Sequence, residues 1–305
     1  MRYAVTGAAG FIGSHLAEAL LRAGHEVVAI DCFTDYYDPA LKEENAAAFP
    51  VERIDLAADP LDFSGVDGVF HLAAQPGVRS FGGVFPLYVR QNVLASERVF
   101  DAAAGDGARV VYASSSSVYG EAERYPIPED ATPAPISPYG ITKLAGEHLA
   151  RAFGAGFGLD AVVLRYFNAF GPRQRSDMAF TRIASALAGG RPFDLYGDGS
   201  QTRGFTYVDD VVSATLVAME RGSGTYNVGG GTEASMRETI SLLEELAGRR
   251  LEVRDHPPVP GDQRRTSADT TRIRTELGWV PQVSLEAGLR AQWEWVSARV
   301  AAHEP

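Results

Sequence analysis

The segment Thr6-Gly7-Ala8-Ala9-Gly10-Phe11-Ile12-Gly13 constrains the fold of this chain more than any other stretch. It lies between an apolar run, Tyr3-Ala4-Val5, that reads as a buried strand, and a stretch from Phe11 to Ala23 that reads as a helix. Glycines at a strand-to-helix turn let the backbone approach a pyrophosphate, whose charge then sits at the helix N-terminus. Such a turn alone is a weak signal, and its surroundings sharpen it. A second strand, Glu26 to Ile30, leads into Asp31, 18 residues after Gly13. A carboxylate there accepts from both ribose hydroxyls of an adenosine and repels a 2′-phosphate. The adjoining Cys32-Phe33-Thr34 offers no cation for such a phosphate, so NAD is expected rather than NADP. The competing reading gives the glycines to strand–helix packing and leaves Asp31 as a solvated strand end.

Further apolar runs follow at Gly68 to Leu72, Arg109 to Ser114 and Asp160 to Tyr166, the last after a long helical segment that starts near Tyr139. Strand and helix in alternation imply parallel strands joined by crossovers, hence an α/β fold with a doubly wound parallel sheet of the Rossmann kind. Strands covered on both faces read as continuous apolar runs, as these do. After Gly171 the rhythm changes, and Pro172, Pro192, Pro257, Pro258, Pro260 and Pro281 interrupt shorter elements. Residues 1–170 are therefore expected to form the dinucleotide-binding domain, with 204–228 returning to it, and 171–305 a smaller C-terminal lobe.

Composition narrows the partners. The formal charge of -11 argues against non-specific nucleic-acid binding, although a local arginine cluster can still hold an anionic small molecule. One cysteine, Cys32, forbids an intrachain disulfide and points to a reducing, cytoplasmic setting. No apolar run reaches membrane-spanning length. The start at Met1 superficially suggests a signal peptide, but Gly7, Gly10, Gly13 and His15 interrupt any apolar core.

Tyr139 and Lys143 are four residues apart on a predicted helix and so share a face. An ammonium beside a phenol favours the phenolate, which can take a proton from a substrate hydroxyl as hydride leaves the same carbon. As an isolated pair, an exposed lysine beside a half-buried tyrosine is the commoner outcome. Ser114-Ser115-Ser116-Ser117 changes the balance, because it follows the strand Val110-Val111-Tyr112 at the carboxyl end, where open α/β sheets place their sites. Local turn bonding is the alternative for each of these serines.

These segments, together with HLAAQPGVR at 71–79, SSSSVYG at 114–120, YGITK at 139–143, RYFNAFGPRQ at 165–174, YGDGSQTRGFTYVDD at 196–210 and Gly261-Asp262 before Ala268-Asp269, resemble the extended short-chain dehydrogenase/reductase family. Within it the chain is most similar to the NDP-sugar 4-epimerase branch, nearly end to end. The resemblance implies Tyr139 as catalytic base, Lys143 on the nicotinamide ribose, and Ser115 bridging the sugar O4 and Tyr139. It implies a cofactor site drawn from Gly7, Gly10, Phe11, Ile12, Gly13, Asp31, Asp55, Leu56, Leu72, Ala73, Ala74, Asn92 and Tyr166, with no metal. The substrate side is expected to include Arg79, Ser116, Ser117, Asn168, Arg175 and Tyr196, with Phe193 beside the base and Arg203 and Arg265 on the diphosphate. A homodimer is implied too, through helices near Tyr88–Ala104 and Tyr139–Phe153, although both apolar faces can instead pack on the sheet.

Family 4,6-dehydratases resemble Thr-Asp-Glu before Val-Tyr-Gly, and family decarboxylases place Glu immediately before it. Here Ser115-Ser116-Ser117 stands in that place, which leaves epimerisation through a 4-keto sugar. The segments Thr34 to Lys42 and Arg173 to Phe180 resemble those of UDP-glucuronate 4-epimerases, implying Arg175 as a bidentate partner of the C6 carboxylate. The alternative for Arg175 is an ion pair with Asp177. Asn168, Ser176 and Gly204 depart from the glucuronate pattern, so UDP-glucose and UDP-N-acetylglucosamine remain rival substrates. A decarboxylase and a non-catalytic NAD-binding regulator are the more distant alternatives.

Overall fold

The structure is a computed structural model that describes residues 1–77, 82–258 and 264–303. Its main sheet is built from β1 (Arg2–Thr6), β2 (Glu26–Asp31), β3 (Glu52–Arg53), β4 (Gly68–His71), β5 (Arg109–Ser115), β6 (Ala161–Tyr166) and β7 (Gly224–Val228). The strands are parallel and lie in the order β7-β6-β5-β4-β1-β2-β3. The chain thus builds outward from β1 in one direction and then in the other. The crevice between the carboxyl ends of β1 and β4 is the place where such sheets bind ligands.

Neighbouring residues on each strand serve opposite cores, which is why the strands show no polar alternation. Val5, Phe70, Val111 and Val162 face a cluster with α1 (Phe11–Arg22), whereas Ala4, Val69, Val110 and Val163 face a second cluster on the other side. The second cluster contains Val99, Phe100 and Ala103 of α3 (Ala95–Asp106) and Ala150 and Phe153 of α4 (Pro138–Phe157). Before α3 the chain passes through a helical turn, Phe85–Tyr88, and a π-helical stretch, Val89–Leu94, so the single helix expected near Tyr88–Ala104 is a composite. Strand β3 was not expected, because its two exposed residues carry no apolar signal. Between β2 and β3 lies a short helix, α2 (Pro39–Asn45).

Beyond Gly171 a third cluster gathers Phe180, Ile183 and Leu187 of α5 (Ala179–Ala188) with Phe193, Leu195, Leu243 and Leu289. It includes residues of α7 (Met236–Ala247) and α9 (Leu285–His303) and a parallel pair of strands, Phe193–Tyr196 and Val253–His256. A three-stranded sheet of Thr202–Gly204, Glu233–Ser235 and Arg265–Thr266 closes this lobe. Between these pieces the chain revisits the large sheet. Val212, Ala218 and Met219 of α6 (Val208–Arg221) enter the first cluster, and so do Ile273 and Leu277 of α8 (Thr271–Leu277) with Trp279. Among the described residues no helix is long and apolar enough to cross a membrane.

Candidate active site

The glycine-rich turn forms the floor of an open cleft with space of about 1140 Å³, lined by Gly7, Gly10, Phe11, Ile12 and Gly13. Gly7 takes a left-handed φ of +72°, and a Cβ on Gly13 would lie 2.1 Å from the Gly7 carbonyl oxygen. A side chain there would force α1 away from the turn. The helix begins at Gly10 with no side-chain cap and no acid in its first turn, leaving its positive end to the cleft. At the far side Asp31 is buried and accepts from the Phe33 N–H at 2.8 Å and the Ala9 N–H at 3.2 Å. A glycine cradle, a bare helix end and a carboxylate one strand away fit a dinucleotide.

Cys32-Phe33-Thr34 carries no cation, in line with the expectation of NAD, but a more distant residue supplies one. A cation does stand beside Asp31: Lys42 of α2, buried, with its ammonium 3.7 Å from Asp31 Oδ1 and donating to Thr34 Oγ1 at 3.0 Å. The helix brings back a residue that lies too far along the chain to be read as part of the strand end.

The expected apolar contacts Leu56, Leu72, Ala73 and Ala74 line the cleft, as do Tyr139, Lys143 and Tyr166. Asp55 and Asn92 do not line it. Asp55 is paired with Arg90 at 2.7 Å; burial pushes its carboxyl up, but the Arg90 and Ala57 contacts outweigh this and hold it below the usual range. Asn92 accepts from the Gln75 N–H at 2.7 Å and donates to the Gln75 carbonyl at 3.1 Å and to Thr142 Oγ1 at 3.0 Å. It therefore braces the cleft wall against α4.

His71, at the end of β4, is fully buried beneath this wall. Ser96 donates its one hydroxyl proton to the Asn92 carbonyl at 2.6 Å, so at 2.9 Å it receives the proton of His71 Nε2. His71 Nδ1 is then left to accept from Thr6 Oγ1 at 2.8 Å, and that oxygen also accepts from the Ala73 N–H at 3.3 Å. Burial, with Lys143 nearby, drives the ring down to about 3 and keeps it neutral.

Helix α4 sets the catalytic pair. Ser137 caps it by accepting from the Gly140 N–H at 3.1 Å, and Pro138 opens its first turn. Tyr139 then faces a hydrogen-bonding Ser115, whose hydroxyl reaches Ser117 Oγ at 3.1 Å. Lys143 donates to the Ala113 carbonyl at 2.7 Å and lies 6.0 Å from the Tyr139 ring. Burial pushes the Lys143 ammonium down to about 7, against the pull of Glu147. The Tyr139 phenol is pushed up by burial, and the Arg175 guanidinium and a hydrogen bond from Ser115 oppose this.

Behind the pair runs a buried polar chain. Ser114 donates to Glu147 at 2.5 Å, and Glu147 takes a two-pronged contact from Arg165 at 2.9 and 2.7 Å. Arg165 continues to the Tyr119 hydroxyl at 2.8 Å, which donates to Asn227 at 2.7 Å. The chain ties α4, β5, β6 and β7 together under the serine turn.

A second cleft, with space of about 1910 Å³, opens between the sheet and the lobe. It shares Ile12, Tyr36, Ser114, Tyr139, Tyr166 and Arg175 with the first, so the two meet at Tyr139. Ser115, Asn168, Phe193, Tyr196 and Arg203 line it, as expected of a substrate side. Asn168 sits at a φ of +32° and donates to the Gly204 carbonyl at 3.1 Å and to Thr266 Oγ1 at 2.7 Å. Three expectations do not gather here. Arg265 is held by Glu233 through two contacts of 2.9 Å, away from the lining. Ser116 and Ser117 do not line the cleft either, although Ser117 Oγ accepts from Ser115, which does, at 3.1 Å. Arg79 and the Gly261-Asp262 pair lie outside the described residues. Lys42 and Tyr36 were missed as site residues although they stood in a segment noted for its resemblance, and Asp177 was expected only as the alternative partner of Arg175, the ion pair that the structure shows at 2.9 Å.

Similar proteins share this architecture. A solved UDP-glucuronic acid 4-epimerase from Bacillus cereus, in complex with UDP-glucuronic acid and NAD, superposes with a TM-score of 0.95 at 39% identity, covering 98% of this chain and all of that one. A UDP-glucose 4-epimerase of Mycolicibacterium smegmatis is 39% identical over 95% of this chain and 96% of its own length. An uncharacterized UDP-glucose epimerase of Bacillus subtilis is 38% identical over 98% of both. With its glycine turn, dinucleotide cleft and Tyr139–Lys143 pair inside a match that spans residues 3–229, the chain belongs to the NAD dependent epimerase/dehydratase family.

Proposed function

We propose that this chain interconverts the C4 epimers of a UDP-sugar with NAD as a resident cofactor, and that UDP-glucuronate, giving UDP-galacturonate, is its substrate. One observation carries the reading: the dinucleotide cleft and the lobe cleft meet where Ser115, Tyr139 and Arg175 stand together. Residues 1–170 supply the dinucleotide side, with 204–228 returning to pack on its sheet, and the rest of 171–305 supplies most of the sugar-nucleotide side.

NAD, when bound, supplies reversible hydride transfer at C4. Tyr139 takes the O4 proton as the C4 hydride leaves and returns it when hydride comes back to the opposite face. Ser115 connects the sugar O4 to Tyr139, and Lys143 holds the ribose. Arg175 pulls the buried phenol toward ionisation. It also offers a fork for the C6 carboxylate. A held carboxylate keeps the C5–C6 bond out of overlap with the ketone, which restrains loss of CO2. Tyr196 and Phe193 flank the base, and Arg203 takes the diphosphate.

A homodimer fits the exposed apolar side chains Val84, Phe85, Leu87, Val89 and Leu94 before α3 and Ile141 on α4. A cytoplasmic setting fits the single, exposed Cys32.

The test is incubation with UDP-glucuronate, UDP-glucose and UDP-N-acetylglucosamine separately, without added NAD, and resolution of the products. UDP-galacturonate as the main product supports the reading. Release of CO2 with a pentose, or no epimer from any of the three, would overturn it.

A further inference from the structure

We propose that Asp177 selects between acidic and neutral sugars by occupying Arg175 as an internal carboxylate that a C6 carboxylate must displace. This deepens the reading of the site as one for UDP-sugars and rests on it. Arg175 donates from Nε to Asp177 Oδ1 at 2.9 Å and from Nη2 to Oδ2 at 3.1 Å. That is the two-pronged geometry a substrate carboxylate would claim. A C6 carboxylate that takes this Nε–Nη2 edge must displace Asp177, so on that edge the ion pair and the carboxylate clamp are two states of one side chain.

The two partners are unequally placed. The Arg175 side chain is 20% exposed and lines both clefts beside Tyr139, whereas Asp177 is 37% exposed at the rim. Asp177 can therefore swing into water, while Arg175 stays at the junction. Tyr36 marks where Asp177 is held: its hydroxyl donates to Asp177 Oδ2 at 3.3 Å, and its ring lies 5.9 Å from the Arg175 guanidinium.

Charge decides the selectivity. With the pair closed, the C6 position faces a cation already neutralised, which suits a hydroxymethyl group. With Asp177 displaced, the cation is bare and suits a carboxylate. A site with this exchange admits both sugars, and Asp177 sets the balance between them.

The experiment titrates NAD-loaded wild type, Asp177→Asn, Arg175→Ala and the double variant with UDP-glucuronate and UDP-glucose by calorimetry, with epimer formation followed in parallel. Asp177→Asn should shift the ratio of the two dissociation constants tenfold or more toward UDP-glucuronate. The shift should vanish in the Arg175→Ala background. A ratio unchanged within twofold, a shift toward UDP-glucose, or a shift that persists without Arg175 overturns the proposal. If epimers form while the ratio stays fixed, only the selection by Asp177 falls. If no epimer forms but the ratio moves as stated, the epimerase reading falls and the exchange stands. Failure of the wild type to bind either sugar overturns both.

Discussion

Acid should weaken this chain through His71. Burial holds the ring down to about 3, against about 6.5 in an unfolded chain. Each unit of difference corresponds to about 1.4 kcal/mol, so the gap amounts to about 5 kcal/mol. The sign follows from proton counting. Between these values the unfolded chain binds a proton that the folded one refuses, so this contribution is complete above about 6.5 and is lost progressively as the pH falls toward 3. Two units below 6.5, at pH 4.5, the loss should be about 3 kcal/mol. That is a large part of the roughly 5–15 kcal/mol that holds a typical domain together. His71→Gln keeps a donor for Ser96 and removes the titration. Urea unfolding of both proteins at pH 7.5, 5.5 and 4.5 reads the difference, and comparing the pair cancels the other titrating groups. The stability gap between wild type and variant should shrink by about 3 kcal/mol from pH 7.5 to 4.5. A gap constant within about 1 kcal/mol would refute the buried neutral imidazole.

Other perturbations follow from the same geometry. Gly13→Ala puts a Cβ 2.1 Å from the Gly7 carbonyl oxygen, so the purified variant should release its dinucleotide, read from the nucleotide content of the acid-precipitated protein. The Lys143 ammonium is depressed to about 7, so the unfolded chain holds the extra proton above that value and stability should rise between pH 7 and about 10; Lys143→Met should flatten this rise in melting temperature. Glu147→Ala leaves the Arg165 guanidinium buried without its carboxylate and should cost about 3–5 kcal/mol by denaturant titration.

Much of the sheet was legible because parallel strands covered on both faces must be apolar throughout. β1, β2, β4, β5 and β6 each announce themselves that way, whereas β3, with Glu52 and Arg53 exposed, carries no such mark. The cofactor turn was legible because glycine spacing reports backbone geometry directly. Tyr139, Lys143 and Ser115 were legible as types at the right strand end, but the pull on the phenol was not. It comes from Arg175, 36 residues further on, and only tertiary packing brings it there. The same limit hid Lys42 beside Asp31, and it misplaced Arg265, whose partner Glu233 reaches it from the opposite edge of the lobe's three-stranded sheet, across Thr202–Gly204. Pairing across the lobe depends on short strands of two or three residues, whose register no periodicity records.

The double return of the chain to the large sheet, first through α6 and β7 and later through α8 and Trp279, means that no single cut separates a cofactor module from a sugar module. Exchanging the lobe for that of a relative would transplant sheet-packing residues with it, and a fragment ending near Gly171 would leave β6 as a raw edge and the apolar face of α1 uncovered. The two halves are stitched like a seam sewn twice. New sugar preferences are therefore more accessible by point changes at the junction than by grafting domains.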